Sequence, residues 1–229
     1  MLQYLTKRIL IFLPTLLVIS LLSFALSKMA PGDPVELRER GGSMGPQMSL
    51  PRSDQIYEEN AAFLGLDKPV FYFSFAPLAY PDTLYRILKR EERENLSRLT
   101  GQYGNWPEIE AYYHQIRKVD RALDTLLRQT EAARYARSPL KQLYLSYQHR
   151  NTESLLRNVS GNIAADSLLR ATISAEAEQL QQAYDKVRRE ATAWKLYVPD
   201  IKWYGFDNQY HNWLTGFLSL DFGRSYIDG

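Results

Sequence analysis

The stretch ILIFLPTLLVISLLSFAL, Ile9 to Leu26, runs without a charge, with Lys7 and Arg8 before it and Lys28 after it. Eighteen residues at about 1.5 Å each reach about 27 Å, close to the roughly 30 Å hydrocarbon core of a bilayer. A single transmembrane helix is therefore expected here. Its polar interruptions, Thr15, Ser20 and Ser23, carry hydroxyls that can bond back to the helix's own carbonyls. Pro14 lies near the start of the run, where a lost backbone donor costs least, and predicts a mild kink. Lys7 and Arg8 place Met1 in the cytoplasm and the residues after about 28 outside, with Lys28 opposing weakly.

Three other readings of the run fare worse. A cleaved secretory signal also starts with basic residues, and Ala25-Leu26-Ser27 offers small residues to a peptidase, but the run exceeds the roughly 7 to 15 residues of a signal core. A buried helix of a soluble protein would show a polar face, which this one lacks. A lipid anchor on cysteine is excluded, because the chain has none.

The rest of the chain is of a different kind. Of 229 residues 24% are charged, yet the first thirty are almost entirely apolar, so the remainder is a water-facing body long enough for one core. Net charge is +2 with both signs interspersed, which argues against a dedicated nucleic-acid surface. Residues Gly41 to Pro51 read as a loop, rich in Gly, Pro and Ser without periodicity. Ile56 to Leu64 predicts a short helix closed by Gly65, and Asp67-Lys68-Pro69 a turn. Val70 to Tyr80 is dense in aromatics and broken by Pro77, so it is not one long element.

From Pro81 to Trp194 the pattern is helix after helix, four or five in all. Asp82 caps a first one, carrying Leu84, Ile87, Leu88, Leu96 and Leu99 and closed by Gly101. Asn105-Trp106-Pro107 opens a longer one, with Ile109, Tyr112, Tyr113, Ile116, Val119, Leu123, Leu126 and Leu127 at three- and four-residue intervals. Ser138-Pro139 matches a cap and first-turn proline. A stripe from Leu155 through Ile173 leads into Ala175 to Trp194. Val198 to Tyr210 is turn-rich and aromatic, a return path. Tyr210, Trp213, Leu214, Phe217 and Leu218 then predict a short amphipathic helix, with Trp213 and Phe217 suited to the membrane interface. The fold class is all-α: a transmembrane helix, an extracytoplasmic helical bundle or long hairpin, and a short interfacial helix near the end.

Signatures of chemistry are missing. There is no phosphate loop, no GxGxxG, no HExxH and no calcium-loop pattern. His114, His149 and His211 are far apart and flanked by polar residues, as on helix surfaces. Asn158-Val159-Ser160 formally matches a glycosylation acceptor but sits inside a helical stretch and is assigned no function. No catalytic, cofactor or metal residue is nominated.

Four blocks stand in a recognisable order: Ile11 to Leu17 (IFLPTLL), Ala30 to Val35 (APGDPV), Leu64 to Pro69 (LGLDKP), and Trp213 to Ser225 (WLTGFLSLDFGRS). In this order they resemble the start of the B-type permease subunit of dipeptide, oligopeptide and nickel ABC transporters. The residues that carry the signature are Ala30, Pro31, Gly32, Asp33, Pro34, Gly65, Leu66, Asp67, Pro69, Asp221, Phe222, Gly223, Arg224 and Ser225. In that family the third and fourth blocks run almost directly together. The resemblance thus divides the chain into a cytoplasmic start and membrane helix (1–30), a family-like extracytoplasmic segment (31–75), an inserted helical domain (76–209) and a family-like segment (210–229) leading to a second membrane helix further on.

The resemblance implies an inner-membrane importer subunit that translocates peptides, nickel or small solutes. Its partners would be a second permease subunit, two ATP-binding subunits and an extracytoplasmic substrate-binding protein, besides membrane lipid. The permease itself performs no bond chemistry, holds no cofactor and leaves ATP hydrolysis to other subunits. The competing function is a membrane-tethered or secreted helical interaction module unrelated to transport.

Overall fold

A computed structural model describes residues 2–29, 35, 54–127 and 129–220. The expected loop at Gly41 to Pro51 lies outside them. The described residues form eight α-helices and one two-stranded sheet, and the chain is all-α in class. It divides into two compact units, residues 1–73 with 203–229, and residues 74–202.

In the first unit, α1 (Leu2–Met29) runs unbroken through Pro14, and its Thr6–Met29 stretch is long and apolar enough to cross a membrane. Thr15 and Ser20 bond back to the carbonyls of Ile11 and Leu17 at 2.8 Å each, so their hydroxyls are satisfied without water. The short helix α2 (Asp54–Phe63) ends as expected at Gly65, whose φ is +67°. The Gly65 amide donates to Ala62 and the Leu66 amide to Ala61, which is the Schellman arrangement that requires a left-handed residue.

The second unit is a helical bundle. Its elements are α3 (Arg90–Tyr103), α4 (Trp106–Leu126), α5 (Glu131–Leu143), α6 (His149–Ala165) and α7 (Ser167–Arg189). α4 packs on α7, α5 on α6, α6 on α7 and α4 on α5, and α3 leans on α4. Ile109, Tyr112, Ile116, Val119 and Leu123 of α4 meet Leu169, Ile173, Leu180, Tyr184 and Val187 of α7, all buried. Each such side chain contributes about 1.5–3 kcal/mol by leaving water. The expected hairpin alternative is thereby replaced by a bundle.

Five details of the bundle depart from the sequence reading. Residues 82–89 are not helical apart from a 3₁₀ turn at Leu84–Arg86; α3 starts at Arg90, where Glu91 and Glu92 occupy the first turn and suit its dipole. Gly101 does not end α3. A β-carbon there would lie 3.0 Å from the Tyr80 hydroxyl, which donates to the Ser97 carbonyl, so this glycine admits a ring instead. The helix ends at Gly104, φ +72°.

Pro139 lies inside α5 rather than at its start, which is capped by Thr130 accepting from the Ala132 amide at 3.2 Å. A proline cannot donate to the carbonyl four residues back, here Tyr135, and that oxygen instead accepts from Asn162 Nδ2 of α6 at 3.3 Å. The long stripe from Leu155 is two helices, because Asp166 takes an extended conformation and caps α7 through the Leu168 and Leu169 amides at 2.9 and 3.0 Å. α7 stops at Arg189, and Trp194 sits in a 3₁₀ turn (Ala193–Tyr197), 60% exposed rather than in the buried stripe.

The stretches read as irregular aromatic sequence contain the sheet. β1 (Phe73–Pro77) pairs with β2 (Pro199–Trp203), flanked by bonds from the Leu78 amide to Val198 at 2.8 Å and from the Tyr204 amide to Tyr72 at 2.7 Å. This register is antiparallel and sets Phe73 opposite Trp203 and Phe75 opposite Ile201. Asp200 and Lys202 point the other way, ion-paired at 2.8 Å.

Gly104→Ala is expected to lower the urea midpoint of the helical signal by an amount equivalent to more than about 2 kcal/mol, since the new β-carbon meets a left-handed backbone and the Thr192 carbonyl oxygen at 2.5 Å. Acid should loosen the α6–α7 corner. Bonds from the Leu169 amide, the Thr130 hydroxyl and the Leu168 amide hold the Asp166 carboxyl below its ordinary 3.8. Its stabilisation is complete above that value and is lost as pH falls through the depressed one. Hydrogen exchange at Leu168 and Leu169 should accelerate over that window in the native chain and at all pH values in Asp166→Ala.

Candidate functional site

The first unit holds an aromatic assembly built on the carboxyl end of α1. Ser20, Phe24 and Lys28 recur every four residues and so share one face of that helix. Ser20 and Phe24 are buried, unlike most of α1. What covers them is α8 (Gln209–Leu218), the short amphipathic helix expected from the sequence. It packs on α1.

Tyr210 is the pivot. Its hydroxyl shares a 2.7 Å hydrogen bond with Ser20 Oγ, and its ring meets Phe24 edge-on with centroids 5.3 Å apart. Trp213 lies one turn on, 5.8 Å from Phe24 and stacked on Tyr210 at 6.2 Å. Phe217 stacks on Trp213 at 5.9 Å and remains 47% exposed. Lys28 Nζ donates to Gln209 Oε1, while Gln209 Nε2 donates to the Lys68 carbonyl at 2.6 Å. One side chain thus ties the end of α1 to the segment that follows α2.

That segment is drawn in by backbone bonds. The Gln209 and Tyr210 amides donate to Pro69 and Val70 at 2.9 and 3.1 Å, satisfying two donors that a helix start leaves open. Asn208 caps the same helix by accepting from the His211 amide at 2.8 Å. Lys68 and Asp207 form an ion pair at 2.6 Å that raises the amine and lowers the carboxyl. Leu64 to Pro69 and the start of α8, some 140 positions apart in sequence, are therefore neighbours in space.

Tyr72 extends the ring system outward. It meets Tyr210 at 5.8 Å, Trp203 in a stack at 6.4 Å and Phe206 edge-on at 5.8 Å. Its hydroxyl lies 3.0 Å from His211 Nδ1, and burial followed by the nearby Tyr210 pushes its pKa up. His211 is thereby a packing partner of Tyr72 and Phe206, and His149 plays the same part in the bundle, stacked on Tyr184 with Nδ1 at 3.2 Å from its hydroxyl. His114 is exposed. Among the described residues no three His, Asp or Glu side chains converge as a metal set.

Of the residues singled out from the sequence, Gly65, Leu66, Asp67 and Pro69 form the capped turn beside α8, and Trp213 and Phe217 line its ring stack. Ala30, Pro31, Gly32, Asp33, Pro34, Asp221, Phe222, Gly223, Arg224 and Ser225 lie outside the described residues. The sequence reading missed Ser20, Phe24, Tyr72 and Gln209. The four-residue repeat along α1 was the available signal for the first two; nothing local marks Tyr72 or Gln209. In a basic depression in the bundle, lined by Leu127, Arg134, Arg137, Ser138 and Lys141, two of the three cations are ion-paired within the bundle, Lys141 with Asp120 at 2.6 Å and Arg137 with Asp124 at 2.5 Å.

Over 71 residues the chain is 37% identical to the di/tripeptide transport system permease protein DppB of Pseudomonas aeruginosa (strain UCBPP-PA14). The matched stretch is 31% of this chain and 19% of that permease, so under a fifth of the relative's length is spanned. No family model and no solved structure matches. Together with the apolar helix, this partial likeness points to a membrane protein related to transport permeases.

Tyr210→Phe removes the Ser20 hydrogen bond but keeps the ring, and is expected to weaken α8 docking by about 1 kcal/mol, within the range of interhelical bonds in bilayers. Tryptophan emission of the detergent-solubilised chain should then shift to the red and become more accessible to acrylamide, a change that is lost when Trp213, one of the four tryptophans, is replaced by Phe, whereas Tyr135→Phe, on the bundle surface, should leave both unchanged.

Proposed function

We propose that the chain acts as a permease-type subunit of an ABC importer for di- and oligopeptides, or for nickel or another small solute. The observation that carries this reading is the 37% identity to a di/tripeptide permease over 71 residues. The meeting of Pro69 and Val70 with Gln209 and Tyr210 adds support, because it joins in space two blocks that the resembling family has side by side in sequence. The bundle of residues 74–202 is then an excursion from the permease framework, leaving and returning through paired strands.

In this reading Lys7 and Arg8 keep the amino terminus in the cytoplasm, and the bundle projects on the extracytoplasmic side. Trp213 and Phe217 face the membrane interface beside α1. The subunit works with a second permease chain, two ATP-binding subunits and an external substrate-binding protein. Its own task is conformational: it carries no bond chemistry and needs no cofactor. The bundle's place on the outer face suits it to contact the binding protein that delivers cargo.

Loss of the whole chain should abolish growth of an auxotrophic host on the required amino acid supplied as a dipeptide; undiminished growth and uptake would sink the importer reading. Replacing residues 75–201 with Asn-Gly, a two-residue turn that suits the hydrogen-bonded register of Ser74 and Lys202, should preserve membrane insertion. Capture of the binding protein on these membranes should fall at least about tenfold. If capture and uptake both persist, the bundle is not the contact.

A further inference from the structure

The rings at the far end of the aromatic assembly are large, apolar and turned outward. Trp203 is 66% and Phe206 67% exposed, although each is held on its inner side by Tyr72 and the two meet edge-on at 6.4 Å. Contiguous apolar exposure of this kind normally has an occupant. Both residues belong to the same unit as α1, so their connection to that helix is defined: Trp203 or Phe206 touches Tyr72, Tyr72 touches Tyr210, and Tyr210 touches Phe24.

We propose that Trp203 and Phe206 sit in the headgroup zone of the bilayer that α1 enters, forming with α8 a collar around the carboxyl end of that helix. The occupant is phospholipid, at the boundary between headgroups and acyl chains. Three observations favour lipid. First, Phe24, where the ring series starts, lies about 10 Å from the middle of the Thr6–Met29 stretch, and Lys28, which donates to Gln209 of α8, about 16 Å, so the assembly begins inside the roughly 15 Å half-thickness of the hydrocarbon and reaches its edge. Second, α1, in the same unit, presents a bare apolar surface of its own, where Leu17, Val18 and Leu22 are each more than half exposed. Third, the rings travel with polar partners, the Tyr72 hydroxyl with His211 and Lys68 with Asp207, the mixed character that the interfacial belt favours. The collar requires only that α1 lie in a bilayer. It holds for either orientation and stands apart from the importer reading.

The chain has no cysteine, so single labelling sites are clean. Phe206→Cys and Trp203→Cys, each carrying a nitroxide in full-length chain reconstituted into phosphatidylcholine vesicles with one-fifth phosphatidylglycerol, are read by power saturation with oxygen and with a water-soluble nickel chelate. Label at Tyr135, 67% exposed on the bundle, supplies the aqueous reference, and label at Val18 the lipid reference. Circular dichroism of each variant confirms unchanged helix content before the reading is taken. The expected result is a ratio of oxygen to chelate accessibility at positions 203 and 206 at least about threefold above that at 135 and below that at 18, as for interfacial depth. Ratios equal to that at 135 place the rings in water and overturn the collar. Accessibility to neither reagent places them under protein and overturns it as well. A lipid-like signal missing at Val18 overturns the membrane placement of α1, and the collar with it, while growth on dipeptide reports separately on transport.

Discussion

The hydrogen bond between Tyr210 and Ser20 holds the first unit together, because it joins the start of the chain to a residue 190 positions later where water cannot compete. Ser20 gives its own proton to the Leu17 carbonyl, so its oxygen is free to accept from the Tyr210 hydroxyl, which facing hydrocarbon alone would be an unmet polar group. Around this bond the sequence stacks rings rather than further polar groups. Phe24 and Phe71 lie 5.3 and 5.1 Å from Tyr210 between ring centroids, and Trp213 stacks on it at 6.2 Å. Loss of the polar contact therefore leaves a docked but looser helix.

Bringing Tyr72 back to Tyr204 closes a loop of about 130 residues, which costs an unstructured chain about 4 kcal/mol in closure entropy beyond a constant. A two-stranded ladder of five residues a side is marginal by itself. The bundle removes most of that cost, since its own core fixes the path. Thr192 donates from its amide to Tyr103 and from its hydroxyl to Gly104, both at 2.8 Å, so the end of α7's connection is tied to the end of α3 before the strands meet. The Ala79 amide reaches Lys195 at 3.3 Å and continues the tie.

Charge is used sparingly where it is buried. Asp120 of α4 is buried, yet Lys141 reaches it at 2.6 Å and Tyr144 donates to it at 3.3 Å, so α4 and α5 are registered by one satisfied carboxylate oxygen. Nearness to that carboxylate and burial both raise the Tyr144 hydroxyl, burial contributing more. Asn105 does comparable work at the start of α4. Its side chain does not cap its own helix but donates to Val187 at 2.9 Å, fastening α4 to α7.

The apolar run, the repeating stripe of α4 and the amphipathic spacing of α8 were legible from residue type and interval alone, since a helix must hide one face and the period of that face is written locally. The aromatic pattern of α8 also showed that it would lie on something apolar. Its partner was not written there: whether Tyr210 meets the bundle core or α1 depends on which surface is brought near, and only the folded chain puts Ser20 opposite it. The same holds for Gly101 and Pro139. Their local meaning is helix end and helix start, and it is overruled by Tyr80, which needs the space, and by Asn162, which satisfies the carbonyl that the proline leaves open. Local sequence determines which element forms and which face is apolar; the contacts that rescue a broken rule come from residues tens of positions away, and tertiary structure alone selects them.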